Sequence, residues 1–358
     1  MTKKQIICFL MPFYGANTPI GGLKMVLMYA NRLASDGYKV KVVYPYTSNK
    51  NQMLTCWQRL RDIKTYYANR KAWRNSDNWF EKSKEVEEVE TYSLSHYFVP
   101  KADIYIATGV ETADWVKEYP NEKYYFVQGY ENWGRTDDEL IETYHYPLHK
   151  IAVSTWLQKK VQEVGEKCDV VFNGYELNKF FVQKDIKKRT STNICMLYHD
   201  QDLKNSLLGF RALEIVHHKL PSIKVNIFGV AQRPANLPEW YNYTQRPTPQ
   251  ELLQVYNDSA IFIGTSDAEG WGLTVGEAML CGNAVACTDI DGYKEMAIDG
   301  ENALLSPVGD AERMAENILR LINDDELRIR LATKAADAIK NFSISNSYEG
   351  FKKALGLS

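Results

Sequence analysis

Long hydrophobic runs are scarce in this chain of 358 residues. The apolar run at residues 6–13 is too short to span a bilayer and carries Pro12. It has no plausible cleavage site, so it reads as a first strand and not as a signal peptide. Paired cysteines are missing. Cys8, Cys56, Cys168, Cys195, Cys281 and Cys287 are scattered without a C-x-x-C pair. That argues against a zinc site or a disulfide framework and for buried thiols in a reducing compartment, the cytoplasm. Neither sign of charge is in excess. With 43 basic and 45 acidic residues the net charge is -2, so no global basic field calls for nucleic acid. No G-x-G-x-x-G follows the first strand, which argues against a nicotinamide oxidoreductase. No internal repeat is visible.

What remains is the make-up of a soluble globular protein, with 45% hydrophobic and 25% charged residues. The length suits two domains. The first half alternates strand and helix patterns. Residues 5–11, 39–44, 103–107, 124–128, 151–154 and 169–172 read as strands. Gly21 and Gly22 open a helix that shows Val26, Tyr29, Ala30 and Leu33 on one face and ends near Gly37. The pattern restarts at Asn193, with strands at 194–198, 224–228, 260–263 and 284–288. Helices are expected at 206–218, 249–257, 311–323 and 326–340. Such alternation predicts an α/β chain of two doubly wound Rossmann-like domains with right-handed crossovers. The hinge falls near Asn173-Gly174, giving domains at 1–173 and 174–340. Residues 52–95 break the rhythm and read as an insertion with its own helices.

The stretch from Glu269 to Met279 is the most informative. Glu269-Gly270-Trp271-Gly272-Leu273-Thr274 follows an apolar strand and leads into a short helix holding Glu277. A glycine-bearing loop at a helix start offers backbone N–H groups and the positive end of the helix to a phosphate. A carboxylate stands on either side of it. That layout fits sugar, pyrophosphate and ribose in a nucleotide-diphosphate sugar. Thr274-x-x-Glu277 also has the form of a capping box, in which the glutamate serves only its own helix. Both readings of Glu277 stand at this point.

The segment from Thr265 to Asp310 resembles the donor-binding core of the retaining GT-B glycosyltransferases of the large family numbered four. Glu269 and Glu277 match its E-x7-E pattern. Gly282-Asn283-Ala284-Val285, Asp291-Gly292, Glu295 and the run Asp299-Gly300-Glu301-Asn302-Ala303-Leu304-Leu305 match its tail. The resemblance implies two domains facing each other across a cleft, with 341–358 as a last helix crossing back onto the first domain. It sets Glu269 against the donor sugar, Glu277 against the ribose, and Gly270, Trp271, Gly272, Leu273 and Thr274 along the diphosphate. Lys204 matches the family's phosphate lysine, and Gly21 and Gly22 its glycine pair near diphosphate and acceptor. An arginine usually precedes that lysine, but this chain has Tyr198-His199 there. His199 offers one hydrogen bond, and Arg233 and Arg246 are further candidate cations.

Gln128-Gly129-Tyr130-Glu131 resembles a subgroup that includes rhamnosyltransferases of bacterial surface polysaccharides. It makes Gln128, Tyr130 and Glu131 candidate acceptor contacts. The family's mechanism uses no protein base, since an oxygen of the leaving phosphate takes the acceptor proton. No metal or other cofactor is implied, and Asp289-Ile290-Asp291 lies inside the donor-domain pattern instead of forming a manganese site. The implied partners are a nucleotide sugar and a glycan or lipid-linked acceptor. Trp57, Tyr66, Tyr67, Trp73, Trp79 and Phe80 interleave with Arg59, Arg61, Lys64, Arg70, Lys71, Arg74 and Lys82. Such a stretch suits peripheral contact with the inner face of an anionic membrane, or packing on its own domain. A non-catalytic nucleotide-sugar-binding subunit with this fold is the alternative.

Overall fold

The computed structural model describes residues 5–12, 19–48, 57, 61, 63–66 and 79–357. The chain divides into two compact units, Met1–Val171 with Tyr348–Ser358, and Phe172–Ser347.

Among the described residues the first unit has seven strands: β1 (Ile6–Leu10), β2 (Lys39–Thr47), β3 (Val86–Ser93), β4 (Ile104–Ala107), β5 (Glu122–Val127), β6 (His149–Ala152) and β7 (Cys168–Val170). All pair in parallel, in the order β3-β2-β1-β4-β5-β6-β7. β1 reads Ile-Ile-Cys-Phe-Leu and is buried on both faces, as a strand covered by helices on each side must be. The order runs outward in both directions from the β1/β4 pair, so the topological switch point lies there. The last residues of the chain complete this unit. Phe351 stacks on Tyr29 with centroids 4.2 Å apart and meets Phe126 edge-on at 5.5 Å. Tyr348 donates to Asp36 at 2.7 Å, and Tyr124 donates to the Leu355 carbonyl at 3.1 Å.

The insertion expected to carry its own helices also contains a strand at its end. Val86–Ser93 is a strand that adds to β2 from Val40↔Val86 to Thr47↔Ser93. Its acidic residues misled the reading because an edge strand tolerates charge on its open side. Glu87 and Glu88 there pair with Lys41 at 2.8 Å and Lys82 at 2.7 Å. Residues 63–66 are helical, whereas Arg59, Tyr67, Arg70, Lys71, Trp73 and Arg74 lie outside the described residues. Tyr66 is buried and donates to the Glu90 carbonyl, while Trp57 is 83% exposed. Among the described residues no helix is long and apolar enough to cross a membrane.

The second unit has six parallel strands: β8 (Asn193–Leu197), β9 (Lys224–Gly229), β10 (Tyr241–Gln245), β11 (Ile261–Gly264), β12 (Ala284–Thr288) and β13 (Ala303–Ser306). Their order is β10-β9-β8-β11-β12-β13, with the switch point between β8 and β11. Ile194, Met196, Ile227, Ile261, Ile263 and Ala286 form the heart of its core. Helices Ser206–Lys219 and Ala311–Asn323 supply Leu213, Val216, Met314 and Ile318 to the same core. The described cysteines are free and buried.

Candidate functional site

In an open parallel sheet, ligands bind at the carboxyl ends of the strands beside the switch point. In the second unit the loops leaving β8 and β11 meet there. The β8 loop ends in a short turn, Asp202–Lys204, and Asn205 caps the next helix by accepting from the Leu208 N–H at 3.1 Å. Asn205 holds a left-handed backbone, φ 42°, which asparagine tolerates better than most residues. Its amide also donates to Asp267 at 2.8 Å. The Asp267 N–H donates to the Leu203 carbonyl at 2.9 Å, and the Thr265 hydroxyl to the Lys204 carbonyl at 2.9 Å. These bonds stitch the two loops together and fix Lys204 opposite the β11 loop.

Lys204 and Glu269, 65 positions apart in sequence, meet as an ion pair of 2.6 Å. The Ser266 hydroxyl donates to the same Glu269 oxygen at 2.8 Å. Both charged side chains are partly buried, which strengthens their attraction relative to a surface pair. Gly292 packs on the backbone of Glu269, where a Cβ would lie 2.2 Å from the Glu269 carbonyl oxygen. A hollow of about 10 Å³ opens beside Lys204, Ser266, Thr274 and Tyr293. A far larger one, about 620 Å³, sits in the first unit beside Ile6, Lys39 and Val40, at the amino ends of its strands. None of the candidate residues lines it, and the carboxyl-end rule favours the small hollow as the reactive place.

Gly272 starts helix Leu273–Leu280 with φ 92°, a left-handed conformation suited to glycine. A Cβ there would also strike the Tyr293 ring at 2.4 Å. The N–H groups of Leu273 and Thr274 fall in the first turn, where the helix itself provides no acceptor. Gly270 lies just ahead of them on the loop. Trp271 lies between the two glycines of this loop. Its indole is 2% exposed, stacked on Phe172 at 5.4 Å and edge-on to Phe342 at 5.1 Å. It anchors the loop.

Glu277 is 4% exposed and accepts a hydrogen bond from the Tyr256 hydroxyl at 3.3 Å. The capping-box reading does not hold. Gly272 is the N-cap, with no side-chain cap bond, and Thr274 sits within the first turn. Burial, with the Glu277 carboxylate beside it, raises the Tyr256 hydroxyl well above its ordinary pKa. Tyr256 therefore stays a donor toward Glu277.

His199 follows β8 at the place where a second cation was sought. Its backbone exchanges hydrogen bonds of 2.9 Å with the Ser206 hydroxyl. Its Nδ1 accepts from the Gln201 N–H at 3.0 Å, which needs an unprotonated Nδ1. Asp200 lies 3.2 Å from the same atom and would favour the protonated ring. Burial outweighs that carboxylate and lowers the pKa below the usual 6.5. The ring is then neutral at pH 7, with the proton on Nε2. Arg246, left-handed at φ 48°, is pinned by its N–H to the Gly229 carbonyl at 2.7 Å. Arg233 lies exposed on the loop after β9. Asp289 and Asp291 are both exposed and share Lys294, at 3.9 and 2.8 Å.

The remaining candidates belong to the first unit. Gly21 and Gly22 begin helix Gly21–Ser35 without a side-chain cap. Gln128 packs on Gly22, where a Cβ would lie 3.1 Å from its Oε1, and its Nε2 donates to the Thr108 carbonyl at 2.9 Å. Glu131 accepts from the Val110 N–H at 2.6 Å, at the start of helix Val110–Val116. Burial, only partly offset by that bond, pushes its carboxyl up to about 8. Tyr130 lies 6.4 Å from Trp156. Sequence reading missed Thr265, Ser266, Asp267, Asn205, Tyr256 and Tyr293. Asn205 alone carried a local signal, a helix-capping residue ahead of an apolar periodic run.

Comparison with known proteins adds three observations. Residues 183–338 match the family model described as glycosyl transferases group 1. An uncharacterized glycosyltransferase of Methanocaldococcus jannaschii is 32% identical over 108 residues, 30% of this chain and 31% of that protein. The capsular polysaccharide biosynthesis glycosyltransferase CapM of Staphylococcus aureus is 22% identical over 206 residues, 54% of each chain. The chain thus spans about a third to a half of the length of these relatives. Among solved structures, a sucrose-phosphate synthase from Thermosynechococcus elongatus superposes with a TM-score of 0.76 at 13% identity, covering 99% of this chain and 98% of that one. The Anabaena protein HepE, in complex with UDP and glucose, gives 0.73 at 14% identity, covering 98% and 99%. At such identities the likeness speaks for the fold: two Rossmann-like domains of the α/β GT-B class.

Proposed function

We propose that this chain is a retaining glycosyltransferase of family four, moving a sugar from a nucleotide-diphosphate sugar to a hydroxyl of a glycan or lipid-linked acceptor in bacterial surface polysaccharide synthesis. The observation that carries the reading is the Lys204–Glu269 pair beside the first turn of helix Leu273–Leu280, with Glu277 buried further along the same helix. A cation, free N–H groups and two carboxylates are what a sugar diphosphate requires.

In this reading the diphosphate takes the Lys204 ammonium and the N–H groups of Leu273 and Thr274. Glu269 turns to the hydroxyls of the donor sugar, and Glu277 to the ribose. As the bond from the anomeric carbon to phosphate oxygen breaks, its electron pair stays on the diphosphate. Positioned donors stabilise that growing charge, each worth roughly 3–4 kcal/mol in a dry site. The acceptor oxygen bonds to the anomeric carbon on the same face, and its proton passes to an oxygen of the leaving phosphate. The configuration is thereby kept, without a protein base or a metal. Exposed Trp57 and the basic-aromatic stretch around it support a place at the cytoplasmic face of a membrane, where a lipid-linked acceptor is found.

A neutral His199 and a Lys204 already paired leave the site short of positive charge. That favours, as a second reading, a subunit that binds nucleotide sugars without turning them over. The test is thermal stabilisation by a panel of nucleotide sugars, led by uridine diphosphate sugars because HepE holds UDP. Turnover with the best ligand then separates the readings. Release of nucleoside diphosphate with transfer of the sugar supports the enzyme; stabilisation without release supports the binding subunit.

A further inference from the structure

We propose that Arg189 is a positioning residue for the nucleoside end of the donor: its guanidinium clamps the carboxyl ends of helices Pro249–Asp258 and Leu273–Leu280 together and so sets the Tyr256 hydroxyl against Glu277. Assigning the ribose to Glu277 rests on the donor reading above.

Arg189 lies just ahead of β8 and is 7% exposed. A buried charge is tolerated only where it is paired or fully hydrogen-bonded. Among the described residues Arg189 has no ion pair, and every acceptor it meets is a carbonyl oxygen. Nε and Nη2 donate to the Lys184 carbonyl at 3.3 and 3.0 Å. Nη1 donates to the Ser259 carbonyl at 3.1 Å and reaches the Tyr256 carbonyl at 3.5 Å. Nη2 also donates to Asn257 Oδ1 at 3.1 Å and to the Cys281 carbonyl at 2.5 Å. The backbone oxygens of Tyr256 and Ser259 close helix Pro249–Asp258, and that of Cys281 closes helix Leu273–Leu280. Carbonyls at a helix end lack intrahelical donors and carry the negative end of the dipole. One planar cation with five N–H groups serves both ends at once.

Two buried asparagines tighten the same knot. Asn283 donates from Nδ2 to the Tyr256 and Ser259 carbonyls at 3.0 and 2.8 Å. Asn257 Oδ1 accepts from the Gln183 and Lys184 N–H groups at 2.7 and 3.2 Å. The chain ahead of Arg189 is thus tied to the helix end that Arg189 caps.

The clamp controls side chains one turn away. The Cys281 N–H donates to the Glu277 carbonyl at 3.1 Å, so the capped turn begins at Glu277. Tyr256 is itself a clamped residue, and its ring is fixed edge-on by Phe228 at 5.4 Å and Phe262 at 6.0 Å. Arg189 therefore holds the backbone on both sides of the 3.3 Å hydrogen bond from Tyr256 to Glu277. A slip between the helices opens that bond. The first turn of Leu273–Leu280 is held by other contacts: Tyr293 against Gly272, and Trp271 stacked on Phe172. Loss of the clamp therefore moves Glu277 and leaves the N–H groups of Leu273 and Thr274 in place, which separates ribose from diphosphate.

The test is calorimetric titration of the full chain. UDP, GDP, ADP and dTDP are compared, and the tightest is taken forward beside inorganic pyrophosphate. Arg189→Lys keeps the charge but offers one nitrogen where the guanidinium met four backbone carbonyls. The nucleotide binds this variant about tenfold more weakly, and pyrophosphate binds it like the parent. In a Glu277→Ala background the same substitution has no further effect on the nucleotide, the signature of two residues acting through one contact. Tyr256→Phe leaves the clamp intact, so it folds independently of Arg189→Lys and gives the same selective loss. A role confined to stability would lower the melting temperature and move neither the ratio of the two affinities nor the cycle. The inference is overturned if Arg189→Lys or Tyr256→Phe binds the nucleotide like the parent, if nucleotide and pyrophosphate weaken alike, or if the effects of Arg189→Lys and Glu277→Ala add. A nucleotide weakened by Glu277→Ala but not by Arg189→Lys removes the clamp alone; a nucleotide indifferent to Glu277→Ala removes the ribose reading and the clamp with it.

Discussion

Glu269→Gln separates the grip on the diphosphate from the chemistry on the sugar. In the structure Lys204 is not free to meet a phosphate, because Glu269 holds it at 2.6 Å. Two unit charges at that distance attract by roughly 6 kcal/mol at an effective dielectric of ~20. Loss of hydration offsets most of this. A hydrogen bond between charged groups nets ~1.5–3 kcal/mol. A nucleoside diphosphate must draw Lys204 away from that bond and then sit close to the carboxylate. Glutamine keeps the shape and can still accept from Ser266, which lies 2.8 Å from Glu269. It removes both the competing charge and the repulsion. Affinity for UDP should therefore rise about tenfold, or ~1.4 kcal/mol, taking the low end of the bond's worth. Transfer should fall about 100-fold, because the donor sugar loses the charged group that orients it. Isothermal titration calorimetry with UDP, beside turnover with the nucleotide sugar, measures both. Unchanged or weaker UDP binding in Glu269→Gln would show that Lys204 and Glu269 are a structural pair, and the mechanism drawn from them would fail.

Glu277→Ala should weaken UDP about tenfold while leaving inorganic pyrophosphate binding unchanged, as competition titrations would show. It also leaves the Tyr256 hydroxyl without its buried partner, at a cost of ~1–3 kcal/mol in a urea melt. Gly272→Ala forces a side chain into φ 92° and against Tyr293. The backbone strain alone costs ~1–2 kcal/mol, so the melting temperature should drop by at least ~2–4 °C. Glu131 binds its proton more tightly in the folded chain, with a pKa of about 8 against the usual 4.5. Its contribution to stability is thus full below the unfolded value and is lost as pH rises toward 8. Glu131→Gln should flatten that decline and melt higher than the parent at pH 8; an unchanged pH slope would contradict the assignment.

Strand placement was legible where burial on both faces demands a run of apolar residues. β1, β4, β8, β11 and β12 all read that way, and the α/β class followed from their alternation with helices. β3 was not legible, because Val-Glu-Glu-Val-Glu at an open edge imitates a solvated segment. β10, reading Tyr-Asn-Tyr-Thr-Gln, escaped for the same reason at the other sheet's edge. The loop after β11 announced itself through its glycines. What it touches did not: the Lys204–Glu269 pair and the Asn205–Asp267 bond are tertiary facts across more than 60 positions. The packing of Trp271 on Phe172 and Phe342, which anchors the loop, is likewise a tertiary fact that no local pattern carries. Thr274-x-x-Glu277 had the spacing of a capping box, but Gly272 took the cap position and started the helix two residues earlier.

The most direct measurement is release of nucleoside diphosphate from a nucleotide sugar, followed together with the sugar gained by an acceptor glycan. It compares the parent chain with Lys204→Ala and Glu269→Ala, all confirmed folded. The account predicts equal amounts of diphosphate and glycosylated product from the parent and a loss of about 100-fold or more in each variant. Parent-like rates in both variants, or a parent that binds the nucleotide sugar and leaves it intact, would contradict it.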